Sequence, residues 1–283
     1  MIICQSSADL TMHLSSIQAT ASTVGFVPTM GALHQGHISL LNCAKKTTDF
    51  SVVSIFVNPT QFNDLEDYKK YPRDVEHDLQ RLEAAGCHLV FLPSQDDIYP
   101  GGAVEKEYDL GGLDEVMEGP MRPGHFNGVA MVVHRLFQLV QPTDAFFGEK
   151  GFQQLAIITY LVRSLQLNVT IHGCPILREV NGLAMSSRNE RLTPEQRANA
   201  ATIYATLQLA REYWHNFTFT SEIKEFVVNK INENPYLEVE YFDLVEARTL
   251  EEIENIDEAD EPVGCVAAYA GNIRLIDNIR FYS

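Results

Sequence analysis

The stretch Gly25-Phe26-Val27-Pro28-Thr29-Met30-Gly31-Ala32-Leu33-His34-Gln35-Gly36-His37 decides the fold. It opens as a short apolar run, breaks at a glycine-punctuated loop, and hands over to the helical pattern Ile38-Ser39-Leu40-Leu41-Asn42-Cys43-Ala44-Lys45. A buried strand that runs through a glycine loop into a helix is the opening of a βαβ unit. A helix start presents unpaired backbone N–H groups and the positive end of a dipole, so anions settle there. His34 and His37 lie three residues apart and can both point at one bound phosphate. The pair suits a nucleoside triphosphate attacked at its α-phosphate while pyrophosphate leaves. The same histidines also fit a plain structural role, capping the helix or packing beneath the loop.

Outward from this stretch, strands are predicted over 24–28, 51–57, 88–92, 144–147 and 168–172, with helical patterns between them. Val129, Val132, Val133, Leu136, Phe137 and Val140 follow helical spacing without a miss. A further helix over 74–85 stops at Gly86, a usual C-terminal residue. Short apolar strands alternating with amphipathic helices predict an α/β domain, a doubly wound parallel sheet covered on both faces. Ligands bind such sheets beyond the carboxyl ends of the strands, where the winding reverses. After residue 176 the pattern changes. Helices over 194–214 and 221–232 precede strands over 237–246, 263–269 and 273–276, a smaller α+β domain.

Composition narrows the function classes. The 283 residues are 45% hydrophobic and 21% charged, with a formal net charge of −17. That charge argues against nucleic acid as a partner, which needs basic surface. Eleven carboxylates and one arginine fall between Glu238 and Glu261, so an anionic ligand must bind elsewhere, where the local field is positive. No apolar run approaches the roughly 18–20 residues of a membrane span, and the N-terminus lacks a basic signal-peptide start. Cys4, Cys43, Cys87, Cys174 and Cys265 are odd in number and widely spaced. They read as thiols of a cytoplasmic protein, with no metal knuckle and no disulfide framework.

Four more clusters fall at strand ends or loops. Asn58 and Gln61 follow an apolar strand and can hydrogen-bond a small polar substrate, although Asn58-Pro59 also reads as an ordinary turn. Residues 118–128 read as a rigid loop carrying Arg122 and His125. Gly148-Glu149-Lys150-Gly151 repeats the strand–glycine–helix logic of the first motif, with Lys150 a point charge for phosphate. Ser186, Ser187 and Arg188 stand in a mobile junction loop able to close over a triphosphate, a stretch that reads equally as a plain linker.

Taken together, the blocks at 28–37, 53–62, 122–129, 147–155 and 182–189, with 274–278 near the end, resemble the pantothenate synthetase (pantoate–β-alanine ligase) family. Five blocks in order are specific to it, whereas His-x-Gly-His alone is shared with the wider nucleotidylyltransferase superfamily. The resemblance implies a Rossmann-like nucleotide- and pantoate-binding domain over 1–176 and a smaller α+β lid domain over 177–283. It implies ATP-dependent ligation of (R)-pantoate and β-alanine through pantoyl adenylate, releasing pyrophosphate and AMP, with Mg²⁺ bridging phosphate oxygens and few protein ligands to it. By likeness, His37, His34, Lys150 and Arg188 are catalytic. Met30, Gly31, Ala32, Leu33, Gln35, Gly36, Gly148, Glu149, Gly151, Leu177, Met185, Ser186 and Ser187 complete the ATP site. Asn58, Gln61 and Gln154 hold pantoate and β-alanine. Members are commonly homodimers. The chain departs from the family at Gly151, where the pattern has Asp.

Two rival classes remain at this stage. A nucleotidyltransferase acting on a phosphorylated acceptor would not need the amides at 58, 61 and 154, and would want more basic residues. A catalytically silent nucleotide sensor would not need His34, His37, Lys150 and Arg188 together. The acidic charge and the lack of an anticodon-binding region exclude a tRNA synthetase.

Overall fold

Apolar runs only a few residues long cannot bury themselves singly, and here six of them share one sheet. In the computed structural model these strands are β1 (Ile2–Cys4), β2 (Val24–Thr29), β3 (Phe50–Ile55), β4 (Leu89–Phe91), β5 (Asp144–Gly148) and β6 (Thr170–Cys174). Their order is β1-β4-β3-β2-β5-β6, and every pairing is parallel. Between them run α1 (Ser7–Gln18), α2 (Gln35–Thr47), α3 (Leu65–Lys70), α4 (Val75–Ala84), α5 (Gln95–Ile98), α6 (Glu118–Met121), α7 (His125–Val140) and α8 (Phe152–Ser164). The structure describes residues 1–18, 23–63, 65–102, 106–256 and 260–281. Asp257 and Glu258 of the acidic stretch lie outside them.

Successive side chains of a strand point to opposite faces, and β2 shows both. Val27 packs with Leu41 of α2 and Leu82 of α4 in one cluster. Its neighbour Phe26 meets Phe137 of α7 on the other face, ring centroids 6.3 Å apart. Both side chains are essentially inaccessible, and each contributes about 1.5–3 kcal/mol by leaving water. Two buried faces explain why the strands read as continuous apolar runs.

The winding reverses at β2, which has β3 on one side and β5 on the other. Its ladder to β5 pairs Gly25 with Asp144 and Phe26 with Ala145. Pro28, which has no N–H to give, pairs with Ser54 on the β3 side instead. The carboxyl ends of β2 and β5 therefore bound the crevice where this class of sheet takes its ligands.

Spatial contacts group Met1–Glu149 with Ile157–Pro175 as one compact unit, and Lys150–Ala156 with Ile176–Ser283 as another. The second contains α9 (Pro194–Glu212), α10 (Thr220–Asn232) and the antiparallel sheet β7 (Leu237–Glu246), β8 (Pro262–Ala270), β9 (Ile273–Arg280), in the order β7-β8-β9. Thr193 and Gln196 form a capping box on α9, with Pro194 in its first turn. The core of this unit gathers Trp214, Phe242 and Ile223, and Trp214 lies 4.8 Å from the ring of Phe281. Among the described residues no helix is long and apolar enough to cross a membrane.

Several elements differ from expectation. The segment 118–128 is not one rigid loop. It folds as α6 and then enters α7 at His125. The junction at 177–189 is a hydrogen-bonded hairpin, with Met185 N–H donating to Leu177 O at 3.0 Å and Glu179 N–H to Leu183 O at 2.8 Å. A 3₁₀ turn, Ser187–Arg191, follows it. These pairings replace the loose linker that polar composition alone suggested.

Candidate active site

The loop after β2 is held residue by residue. Thr29 Oγ1 donates to Ser54 O at 2.7 Å and accepts from Gly31 N–H at 3.3 Å. Gly31 and Ala32 both take positive φ, 79° and 50°, a conformation an alanine rarely adopts. Asp78 of α4 is what over-determines it. Its carboxylate accepts from Ala32 N–H at 2.9 Å and Leu33 N–H at 2.7 Å. Asp78 is only 2% exposed, and burial raises its pKa against the lowering effect of those two N–H groups.

Sequence alone places Asp78 merely on a helix, because the backbone groups it serves lie 46 and 45 residues away. The available signal was an acid on the face that Leu79 and Leu82 mark as the inner one.

The two histidines do more than start the helix. His34 is the N-cap of α2, and its Nδ1 accepts from Gly36 N–H at 3.1 Å. His37 Nδ1 reaches back to accept from His34 N–H at 3.2 Å, a reciprocal capping box built from imidazoles. A ring nitrogen that accepts carries no proton, so each neutral imidazole keeps its hydrogen on Nε2. The rings stand 4.1 Å apart. The expectation of bare helix-start N–H groups is thereby corrected: the Gly36 donor is taken by His34, and His37 N–H by His34 O. The Nε2–H groups are left as the ring donors of the pair. The structural reading of the pair holds, and capping at Nδ1 sets the tautomer of both rings.

Next to it, Asn58 caps the 3₁₀ turn Pro59–Gln61. Expected to meet substrate, Asn58 is 1% exposed and fully committed. Its Nδ2 donates to Gln61 Oε1 and Gly128 O, both at 3.1 Å. Its Oδ1 accepts from the Thr60 hydroxyl at 3.0 Å and from Tyr99 at 2.8 Å. No capacity is left for a ligand. Gln61 is thus oriented at its side chain by Asn58, while its carbonyl lies 2.7 Å from His125 Nδ1. Its Nε2 lies 3.3 Å from Met30 Sδ, which brings the amide to the loop after β2. Gly148 and Glu149 follow β5 at the neighbouring strand end, and Glu149 N–H donates to Cys174 O at 2.9 Å.

The second unit carries the cations. Lys150 is half-buried, and its Nζ donates to Met185 O at 3.2 Å. Burial lowers its pKa to about 8, against the raising effect of Asp277, while Arg188 and Arg178 push it further down. Ser186 caps the 3₁₀ turn by accepting from Arg188 N–H at 3.2 Å. Ser187 and Arg188 are half-buried, Leu177 is exposed, and Gln154 is half-buried in the first turn of α8. Among the described residues no group of three His, Cys, Asp or Glu side chains is placed to hold a metal ion. Asp78 is already engaged by two backbone N–H groups.

Comparison with known proteins gives this geometry its context. The profile of the family described as pantoate-beta-alanine ligase matches residues 2–280. The pantothenate synthetase of Porphyromonas gingivalis is 48% identical over 281 residues, 99% of each chain. That of Azobacteroides pseudotrichonymphae is 49% identical over 99% of this chain and 100% of its own. The crystal structure of pantothenate synthetase from Thermus thermophilus superposes with a TM-score of 0.91 at 40% identity, covering 100% of both chains. The pantoate-beta-alanine ligase of Francisella tularensis, solved with beta-gamma ATP and beta-alanine, gives 0.81 at 36% identity over 100% and 98% of the two chains. The family profile, the full-length identity and the superposition agree, and the chain belongs to the pantoate–β-alanine ligase family.

Proposed function

We propose that the chain joins (R)-pantoate to β-alanine in two steps on one bound ATP. Pantoate carboxylate first attacks the α-phosphorus, the α–β phosphoanhydride bond breaks, and pyrophosphate leaves with the electron pair. The amine of β-alanine then attacks the acyl carbon of pantoyl adenylate and loses a proton, and AMP departs. The observation that carries this reading is the histidine capping box, because it fixes both Nε2–H groups as donors before substrate arrives. Preorganised donors of this kind stabilise charge that grows in the transition state. His34 and His37 donate to the phosphates, with His37 the proton donor.

Residues 30–37 wrap the nucleotide, together with Gly148, Glu149, Gly151, Leu177 and Met185. Lys150, Ser186, Ser187 and Arg188 bind the triphosphate. Gln61 and Gln154 hold pantoate, and Gln61 also meets β-alanine. Asn58 acts through Gln61. Mg²⁺ on the phosphate oxygens would offset part of the triphosphate charge. The smaller α+β domain expected over 177–283 also takes in Lys150–Ala156, which group with it and not with the domain expected over 1–176. The enzyme works in the cytoplasm as a homodimer, a setting that suits its buried thiols Cys4, Cys87 and Cys174.

The test supplies ATP and Mg²⁺ with pantoate and β-alanine, singly and together, and follows pyrophosphate and AMP. Pantoate alone releases pyrophosphate, and AMP turns over only when β-alanine is added. Turnover with β-alanine in place of pantoate would refute the order of steps.

A further inference from the structure

Lys150 is held at both of its ends by one connected set of side chains in the second unit. Its carbonyl accepts from Asn278 Nδ2 at 3.1 Å. Its ammonium donates to Met185 O at 3.2 Å. Met185 closes the hairpin whose other strand carries Arg178, bridged to Ala184. The Arg178 guanidinium grips Asp277 with two hydrogen bonds, 2.6 and 2.9 Å, and donates to Gly182 O at 3.0 Å. It also lies 3.3 Å from the ring centroid of Tyr204. Asp277 in turn accepts from Asn278 N–H at 2.8 Å. The circuit therefore closes from Lys150 through Met185, the hairpin, Arg178, Asp277 and Asn278 back to Lys150.

Asp277 and Asn278 are 5% and 7% exposed at the end of β9, where a soluble sheet gains nothing from two polar side chains unless they are used. We infer that Asp277 and Asn278 are positioning residues for Lys150. Asn278 fixes the main chain from which its side chain springs, and Asp277, through Arg178, sets the carbonyl that receives its ammonium.

The inference rests on the reading of Lys150 as a triphosphate ligand, and it names what keeps that lysine placed and charged. Four charged groups act on the ammonium: Asp277 from β9, Arg188 from the 3₁₀ turn, and Arg178 and Glu179 from the hairpin. Asp277 is the stronger of the two carboxylates in holding the proton on Lys150. Asp277→Asn removes the charge while leaving one acceptor oxygen for the Arg178 guanidinium. Because a buried guanidinium without its carboxylate can cost folding, Asn278→Ala provides a second variant with no change in charge.

Two readouts separate the questions. The titration of Lys150 is followed by its pH-dependent acylation with acetic anhydride, read on the peptide by mass spectrometry. Pantoate-dependent exchange of pyrophosphate into ATP reports adenylation. In Asp277→Asn the Lys150 titration moves to lower pH, and the alkaline limb of adenylation moves with it. Asn278→Ala leaves the titration in place but lowers kcat for adenylation about tenfold, as expected when a charged group loses its placement, with a smaller change in KM for ATP. A Lys150 titration unmoved in folded Asp277→Asn, together with wild-type kcat in Asn278→Ala, would overturn the inference. A titration that shifts while adenylation keeps its pH profile would remove Lys150 from the reaction, and the positioning role would fall with it.

Discussion

At the scale of single residues, the site depends on which atom carries a proton. In His34 and His37 the capping bonds at Nδ1 leave the hydrogen on Nε2. Nitrogen NMR of the free enzyme should therefore show both rings as Nε2–H tautomers. His37→Ala removes one donor and should slow pantoyl adenylate formation about 10²–10³-fold. It also removes half of the capping box, so thermal unfolding should show a loss of about 0.5–2 kcal/mol. Full activity per folded molecule would return His37 to a purely structural role.

Lys150 gives the complementary prediction with pH. Its folded pKa of about 8 lies below the ordinary 10.5, so between these values the unfolded chain binds the extra proton. Stability contributed by this group is lowest below pH 8 and rises from about 8 to 10.5. Activity runs the other way: kcat/KM for ATP should fall above about pH 8 as the ammonium is lost. Parallel stability and pH–rate measurements would show the two curves diverging.

At the scale of elements, close packing decides where side chains are allowed. Gly128 lies in the second turn of α7, where an added Cβ would sit 2.4 Å from Thr60 O. Gly128→Ala must push α7 off the 3₁₀ turn, at about 1–3 kcal/mol of stability. Because Gly128 O anchors Asn58, the KM for pantoate should rise with it. Gly151 tells the opposite story. It is absent from the positive-φ residues, and its carbonyl accepts from Leu155 N–H at 2.9 Å as the first bond of α8. Gly151→Asp should fold, gain a few tenths of a kcal/mol as a better N-cap, and bind ATP equally or more tightly. A marked loss of stability would show that the loop needs glycine.

Element boundaries also show how far the sequence could be read. Strands with two buried faces were legible because their apolar runs are unbroken. Helix α2 was expected from Ile38 yet begins at Gln35, since histidine is not among the usual capping residues. β9 was expected to stop at Ile276 but continues to Arg280. Asp277-Asn278 looks like a strand end until Arg178, 99 residues away, supplies its partner. β1 is three residues long on an edge and carries no period to detect. In the candidate site, the histidine motif could be read from sequence, whereas the supports Asp78 and Tyr99 could not. Their roles are defined by distant backbone groups and by Asn58.

At the scale of the whole molecule, the −17 net charge opposes an anionic nucleotide at long range, while the cations proposed to bind it would act at contact distance. Salt screens the first before the second, because the Debye length shrinks to about 10 Å at 0.1 M. kcat/KM for ATP should therefore rise when ionic strength increases from about 10 to about 100 mM at fixed free Mg²⁺. A steep fall instead would mean that attraction by basic surface governs capture.

The hydrogen bond from Asn278 to the Lys150 carbonyl has a consequence for the order of folding. It joins residues 128 apart in sequence, and contacts of such long range form slowly because the intervening chain must first be closed into a loop. The histidine cap is local, completed within residues 34–37. Refolding should therefore restore the imidazole cap well before Lys150 gains its anchor.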